Sequence, residues 1–169
     1  MVEVGLLGED DRVELLEGEI VQMSPIGRRH AHAVRVLNHR LTGQAVERYV
    51  VDVQNPVEVS SNSEPQPDLT LLAWRADFYT SNPGSADVLG LIEVADRSLA
   101  HDRGIKLPIY GRAGIPEVWV VDLVHDTIEV HRGATTAGYT AASVHGAGET
   151  VAPGSFPDVL ISVSEVLGI

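Results

Sequence analysis

Cysteine is absent from the 169 residues. The chain therefore has no disulfide framework, no thiolate metal site and no cysteine nucleophile. No stretch approaches the roughly 18 consecutive apolar residues of a membrane span, and the opening MVEVGLLGEDD lacks the basic region and apolar run of a secretion signal. A cytoplasmic protein is the expectation. Positive charge is scarce too, with 12 basic residues against 24 acidic and a net charge of −12. That balance repels nucleic acid globally and leaves a neutral or cationic partner, or a metal ion, the easier fit. Lysine is scarcest of all: Lys106 is the only one, every other basic residue being arginine. Arginine is a fixed, always charged fork, whereas lysine is a compact donor whose pKa moves when it is desolvated. A lone lysine in an arginine-using chain is a candidate for chemistry that a guanidinium cannot perform.

Hydrophobic residues make up 44% of the sequence, enough for one domain over residues 1–169 with a real core. Charge is unevenly spread. Residues 1–27 sum to −6, whereas residues 28–48 carry Arg28, Arg29, Arg35, Arg40 and Arg48 against Glu47 alone and sum to +4. The second segment is either an anion-facing surface or an ordinary solvated helix face.

VELLEGEIVQM, residues 13–23, reads as a hairpin around Glu17-Gly18. Val34, Leu37, Leu41 and Ala45 recur at helical spacing and predict a helix over 31–48, with His32, Arg35 and His39 on its polar face. VVDV at 50, PVEVSS at 56 and DLTLLAW at 68 read as strands. LGLIEVA at 89, a helix over roughly 98–113 and EVWVVD at 117 have the size of a strand–helix–strand crossover. Pro108 predicts a kink or a late start in that helix, and Gly114 with Pro116 ends it. Short strands with Gly-rich turns and a terminal helix at SVSEVLGI complete a mixed α/β domain without internal repeats.

Candidate chemistry lies in two acids and the lysine. Pro67 admits the chain into a strand beginning at Asp68. Glu93 interrupts an otherwise apolar strand of the kind buried on both faces. Two carboxylates on neighbouring strands repel unless a cation lies between them, and a hard divalent ion such as Mg²⁺ or Mn²⁺ suits oxygen ligands. The plain alternative is a turn acid at Asp68 and an arginine-paired Glu93. Lys106, on the crossover helix, could reach the acids, polarise a water and stabilise developing charge. Its alternative is a surface lysine paired with Asp102, four residues earlier. Glu19 in the hairpin is a candidate third acid or a solvated one. His30 and His32, two apart, diverge on a helix and make a poor metal pair; with Arg28, Arg35 and His39 they suit phosphate contact or solvent. Asp122 reads as a turn acid, and GRAG at 111 as a helix stop, since no phosphate-cradling glycine motif is present.

Taken together, QPDLTLL, LIEVADRS and DRGIKLPIYGRAGIPEVWVVD resemble the Uma-two endonuclease-like family of bacterial proteins, a branch of the restriction-endonuclease-like PD-(D/E)xK superfamily. The similarity runs from VELLEGEIVQMSP through FPDVLISVSEVL and is most specific over residues 91–122. It implies a restriction-endonuclease-like core, a mixed central sheet flanked by helices with extra hairpins. It also implies metal-dependent hydrolysis of a phosphodiester in nucleic acid, with DNA the expected substrate and a homodimer suited to cutting both strands. Asp68 and Glu93 match the two motif acids and would be metal ligands. The superfamily's usual lysine falls at Ala95; in this branch Lys106 matches its displaced place, so the catalytic set would be Asp68, Glu93 and Lys106. Arg28, His32 and Arg35 would serve nucleic-acid contact. A non-catalytic binding domain that kept the fold is the competing reading, because fold alone does not fix function.

Overall fold

The computed structural model describes residues 12–169. The leader expectation, and the acids Glu3, Glu9, Asp10 and Asp11, lie outside the described residues. Six strands form the central sheet, in the order β3-β4-β5-β6-β7-β8: β3 (Tyr49–Val53), β4 (Leu69–Ala73), β5 (Val88–Ala95), β6 (Glu117–Asp122), β7 (Thr127–Thr135) and β8 (Gly138–His145). Every pairing is antiparallel except β5 with β6. A parallel neighbour requires a crossover, and the helical stretch between β5 and β6 supplies it. β5 and β6 are almost continuously buried, and the acids Glu93, Glu117 and Asp122 inside them stand out against that apolar background.

β1 (Val13–Leu16) and β2 (Glu19–Gln22) form a separate hairpin. Glu17 and Gly18 both have positive φ, 51° and 85°, the geometry whose twist matches a two-residue hairpin turn. α1 (Arg28–Thr42) buries Ala33, Val34, Leu37 and Leu41 on one stripe. It starts three residues before the predicted helix and stops well short of 48. Gly43 caps it, and the buried Tyr49 hydroxyl donates to the Leu41 carbonyl at 2.8 Å, satisfying a group that continuation would have used. Ala45 therefore packs against the core from outside the helix. PVEVSS forms isolated bridges, Glu58 with Gly84 and Ser60 with Ser63, rather than the expected strand. A two-residue pair, β9 (Thr150–Val151) and β10 (Ile161–Ser162), leads into α4 (Val163–Leu167).

Two apolar clusters lie on opposite faces of the sheet. Leu37, Leu41, Ile92, Trp119, Val121 and Val166 join α1 and α4 to one face. Leu91, Ala95, Val118 and Val120 meet Leu107, Ile109 and Tyr110 of the crossover on the other. Burying side chains of this size is worth about 1.5–3 kcal/mol each, so both layers are firmly held. The crossover helix also comes close to β8: a Cβ at Gly111 would stand 2.6 Å from Gly138 Cα, so only glycine fits there. No helix among the described residues is long and apolar enough to cross a membrane.

Candidate active site

Leu69 pairs with Ile92 and Thr70 with Leu91 across β4 and β5. Continuing that register one step places Asp68 opposite Glu93, on the sheet face covered by the crossover helix. Both are buried, at 7% and 4% exposure. Asp68 is held by three donors: the Val94 N–H at 2.8 Å, the Gln54 side-chain amide at 3.2 Å, and His30 Nε2 3.0 Å from its carboxylate. His30 comes from the first turn of α1, so the helix start is tied to the strand start.

The crossover reaches the same point through three consecutive segments: α2 (Leu99–His101), a wide π turn (Asp102–Lys106) and α3 (Leu107–Arg112). In the wide turn Leu107 N–H donates to the Asp102 carbonyl, five residues back. Its cause is Pro108, whose ring would crowd the carbonyl of Gly104 in a regular helix. Sequence predicted an irregularity here, and this is its form. Asp102 and Lys106 are buried and Arg103, between them, is exposed. Lys106 is thus no surface lysine. Its ammonium lies 2.8 Å from Glu93 Oε1 and 3.0 Å from Glu14 Oε2, while Asp102 accepts from Ser98 Oγ at 2.6 Å. The Tyr110 hydroxyl, one turn further on, also donates to Glu93 Oε1.

Four buried carboxyls, Glu14, Asp68, Glu93 and Asp102, therefore line one cavity with a single ammonium, which contacts Glu14 and Glu93 directly. Burial pushes Glu93 up to about 8, with Asp102 and Asp68 adding to the rise and Lys106 opposing it. Burial also raises Asp102. Burial alone would lower Lys106, but Glu93, Glu14 and Asp102 outweigh it and hold the amine above its ordinary range. The pKa mobility that singled out a lysine thus acts upward: Lys106 is a fixed cation and donor, not a proton acceptor. Burial and Glu93 likewise raise Tyr110, which stays a donor.

The cluster suits one more positive charge. No group of three or more His, Asp or Glu among the described residues is arranged to hold a metal ion by protein ligands alone. Two carboxylates are what a Mg²⁺-like ion that keeps several waters requires. Asp68 and Glu93 fit that role: both line one cavity of about 460 Å³, and Glu93 Oε2 has no hydrogen-bond partner among the described residues.

Other expected residues fall differently. Glu19 is exposed on β2; the buried acid of the hairpin is Glu14, which also accepts from the Gln66 N–H at 3.2 Å. Alternation along VELL, with Glu14 and Leu16 on the inward face, was the available signal. His30 does not share the fate of His32, because it contacts Asp68 whereas His32 Nε2 meets the Glu165 carbonyl at 3.0 Å. Arg28, His32, Arg35 and His39 form the solvent stripe of α1, and Arg28 and Arg35 have no carboxylate partner among the described residues. Arg29, Arg40 and Arg48 are paired with Asp126, Glu165 and Asp158, so much of the basic segment's charge is neutralised within the fold. Asp122, fully buried, is the turn acid expected: it accepts from the N–H groups of Val124 and His125 and pairs with Arg103.

A family model described as "Uma2: Putative restriction endonuclease" matches residues 3–164. No curated protein matches significantly. Among solved structures, the chain is similar to the crystal structure of "a putative nuclease belonging to DUF820" from Anabaena variabilis ATCC 29413. The TM-score is 0.72 at 15% identity, covering 98% of this chain and 95% of that one. At that identity the likeness shows the fold: the mixed sheet with flanking helices expected from sequence.

Proposed function

Because the chain belongs to the Uma2 family of putative restriction endonucleases, we propose that it is a divalent-metal-dependent nuclease that hydrolyses phosphodiester bonds, with DNA as its expected substrate. Membership supports nuclease function in general; the cation, the substrate and the roles of individual residues rest on the site's chemistry. Asp68 and Glu93 would hold Mg²⁺ or Mn²⁺. The bound ion would supply Lewis-acid neutralisation of charge at the phosphate and a nucleophile from water at neutral pH.

The observation that carries this reading is the single buried ammonium between Glu14 and Glu93 at a cavity that Asp68 and Asp102 also line. Three donors fix the Asp68 carboxylate in one orientation. Tyr110 and Lys106 fix one oxygen of Glu93 and leave the other available. Lys106, held protonated, donates to the attacking water or to a phosphate oxygen as negative charge builds there. Arg28, His32 and Arg35 on the solvent stripe of α1 offer nucleic-acid footing, and a homodimer would bring two such sites to one duplex.

Purified protein is incubated with plasmid, single-stranded DNA and RNA in Mg²⁺ or Mn²⁺. Cation-dependent cleavage that is lost in Asp68→Ala and Lys106→Ala supports the assignment. Activity surviving both substitutions contradicts it.

A further inference from the structure

Among the described residues, seven arginines are ion-paired: Arg29 with Asp126, Arg40 with Glu165, Arg48 with Asp158, Arg75 with Asp77, Arg103 with Asp122 and Glu129, Arg112 with Glu17, and Arg132 with Glu117. Four have no carboxylate partner among the described residues: Arg12, Arg28, Arg35 and Arg97. In a chain with twice as many acids as bases, an unclaimed guanidinium is the exception. Their distribution is not even. Arg12 and Arg97 both line the cavity that holds Asp68, Glu93 and Lys106, and Arg28 directly follows Gly27, which lines it too. Arg12 enters from the base of the hairpin, where one of its N–H groups donates to the Ser24 carbonyl at 2.9 Å. Arg97 enters from the turn between β5 and α2. Both are exposed, and neither has a carboxylate partner among the described residues, so guanidinium N–H groups remain to meet a ligand.

We infer that Arg12 and Arg97 form a phosphate grip at the mouth of this cavity, holding the nucleic-acid backbone over the acidic floor. The inference rests on the nuclease reading for its ligand, and it answers the main electrostatic objection to that reading. A polyanion approaching four buried carboxyls and a protein of net charge −12 needs cations at the point of entry. Guanidinium forks match phosphate oxygens in geometry and stay charged at every working pH. Among the described residues, Asp96, exposed beside Arg97, is the one surface acid lining the cavity, against the two guanidinium groups of Arg12 and Arg97. No Phe, Tyr or Trp among the described residues lines the cavity, so bases find no broad stacking platform and the backbone is what the mouth is best suited to hold.

The test is binding of labelled duplex and single-stranded oligonucleotides in chelator, where no cleavage occurs, over a series of salt concentrations. Arg12→Ala with Arg97→Ala should make the slope of log affinity against log salt shallower by about 2, and each alone by about 1. Each loss should weaken binding about tenfold at moderate salt. Arg97→Lys should keep the slope, because it keeps the charge. Arg75→Ala and Arg112→Ala, exposed but ion-paired, serve as controls and should change neither quantity. The grip is overturned if the double variant matches the wild type in slope and affinity, if the controls lose as much, or if the wild type binds neither oligonucleotide. A larger effect on the duplex or on the single strand identifies which backbone the grip takes. A wild type that binds through these arginines but cleaves nothing with Mn²⁺ sinks the nuclease reading and leaves the grip standing; cleavage unaffected by the double variant does the reverse.

Discussion

Replacing Glu93 with Gln removes one titrating group from the buried cluster while keeping an oxygen for Tyr110 and Lys106. In the metal-free folded chain burial pushes Glu93 up to about 8, against an ordinary 4.5. A carboxyl raised in the folded state contributes stability that is complete below its unfolded value and disappears as pH rises through its folded value. The window therefore runs from 4.5 to about 8. Across it the loss is about 1.4 kcal/mol per pH unit, on the order of 5 kcal/mol in all. Lys106, whose burial is outweighed by its three acidic neighbours, stays charged throughout and adds no slope of its own. Asp102, also raised by burial, titrates in both proteins and largely cancels in their difference. The assay is urea unfolding in chelator, followed by circular dichroism, for wild type and Glu93→Gln between about pH 5 and about pH 8. The wild type should lose stability relative to the variant as pH rises, and Mn²⁺ should restore the wild type alone at the alkaline end, because a ligand that binds only the folded state stabilises it. Parallel stability profiles for the two proteins would refute the reasoning.

Three further outcomes follow from the same contacts. Lys106→Met strands Glu14 and Glu93 without their ammonium and should cost about 3–5 kcal/mol in urea unfolding as well as abolishing cleavage; Lys106→Arg, bulkier and forked, should not restore the activity. Glu14→Gln keeps an acceptor for Gln66 N–H but takes one of the two carboxylates from Lys106, so the chain should stay folded with about 1–3 kcal/mol less stability, read by the same unfolding curve. Gly111→Ala drives a Cβ into the backbone of Gly138 and should lower stability by about 1–3 kcal/mol in thermal unfolding while leaving Mn²⁺ affinity per folded molecule unchanged.

Much of the scaffold was legible because period and punctuation agreed. The apolar run of β5, the length of the crossover and the run of β6 specify a parallel pair, and Glu17-Gly18 specifies the hairpin turn. Asp68 and Glu93 stood out in sequence because the first opens an apolar strand behind Pro67 and the second interrupts one, and Lys106 stood out as the only lysine. What sequence could not supply is long-range. Glu14 meets Lys106 only after the hairpin docks beside the crossover, and His30 meets Asp68 only because α1 begins at residue 28 rather than 31. Whether an arginine is free or claimed depends on acids as distant as Asp158 from Arg48, so the basic segment looked more available than it is.

The central claim is that Asp68, Glu93 and Lys106 form one cation-dependent hydrolytic centre. Its most direct test is the initial rate of supercoiled DNA cleavage against Mn²⁺ concentration for wild type, Asp68→Asn, Glu93→Gln and Lys106→Met, each checked for folding. The account predicts a rate that is zero in chelator, saturates with the cation, and falls on the order of 10²-fold or more in each variant. Cleavage that proceeds in chelator, or that keeps its rate in folded Asp68→Asn and Lys106→Met, would contradict it.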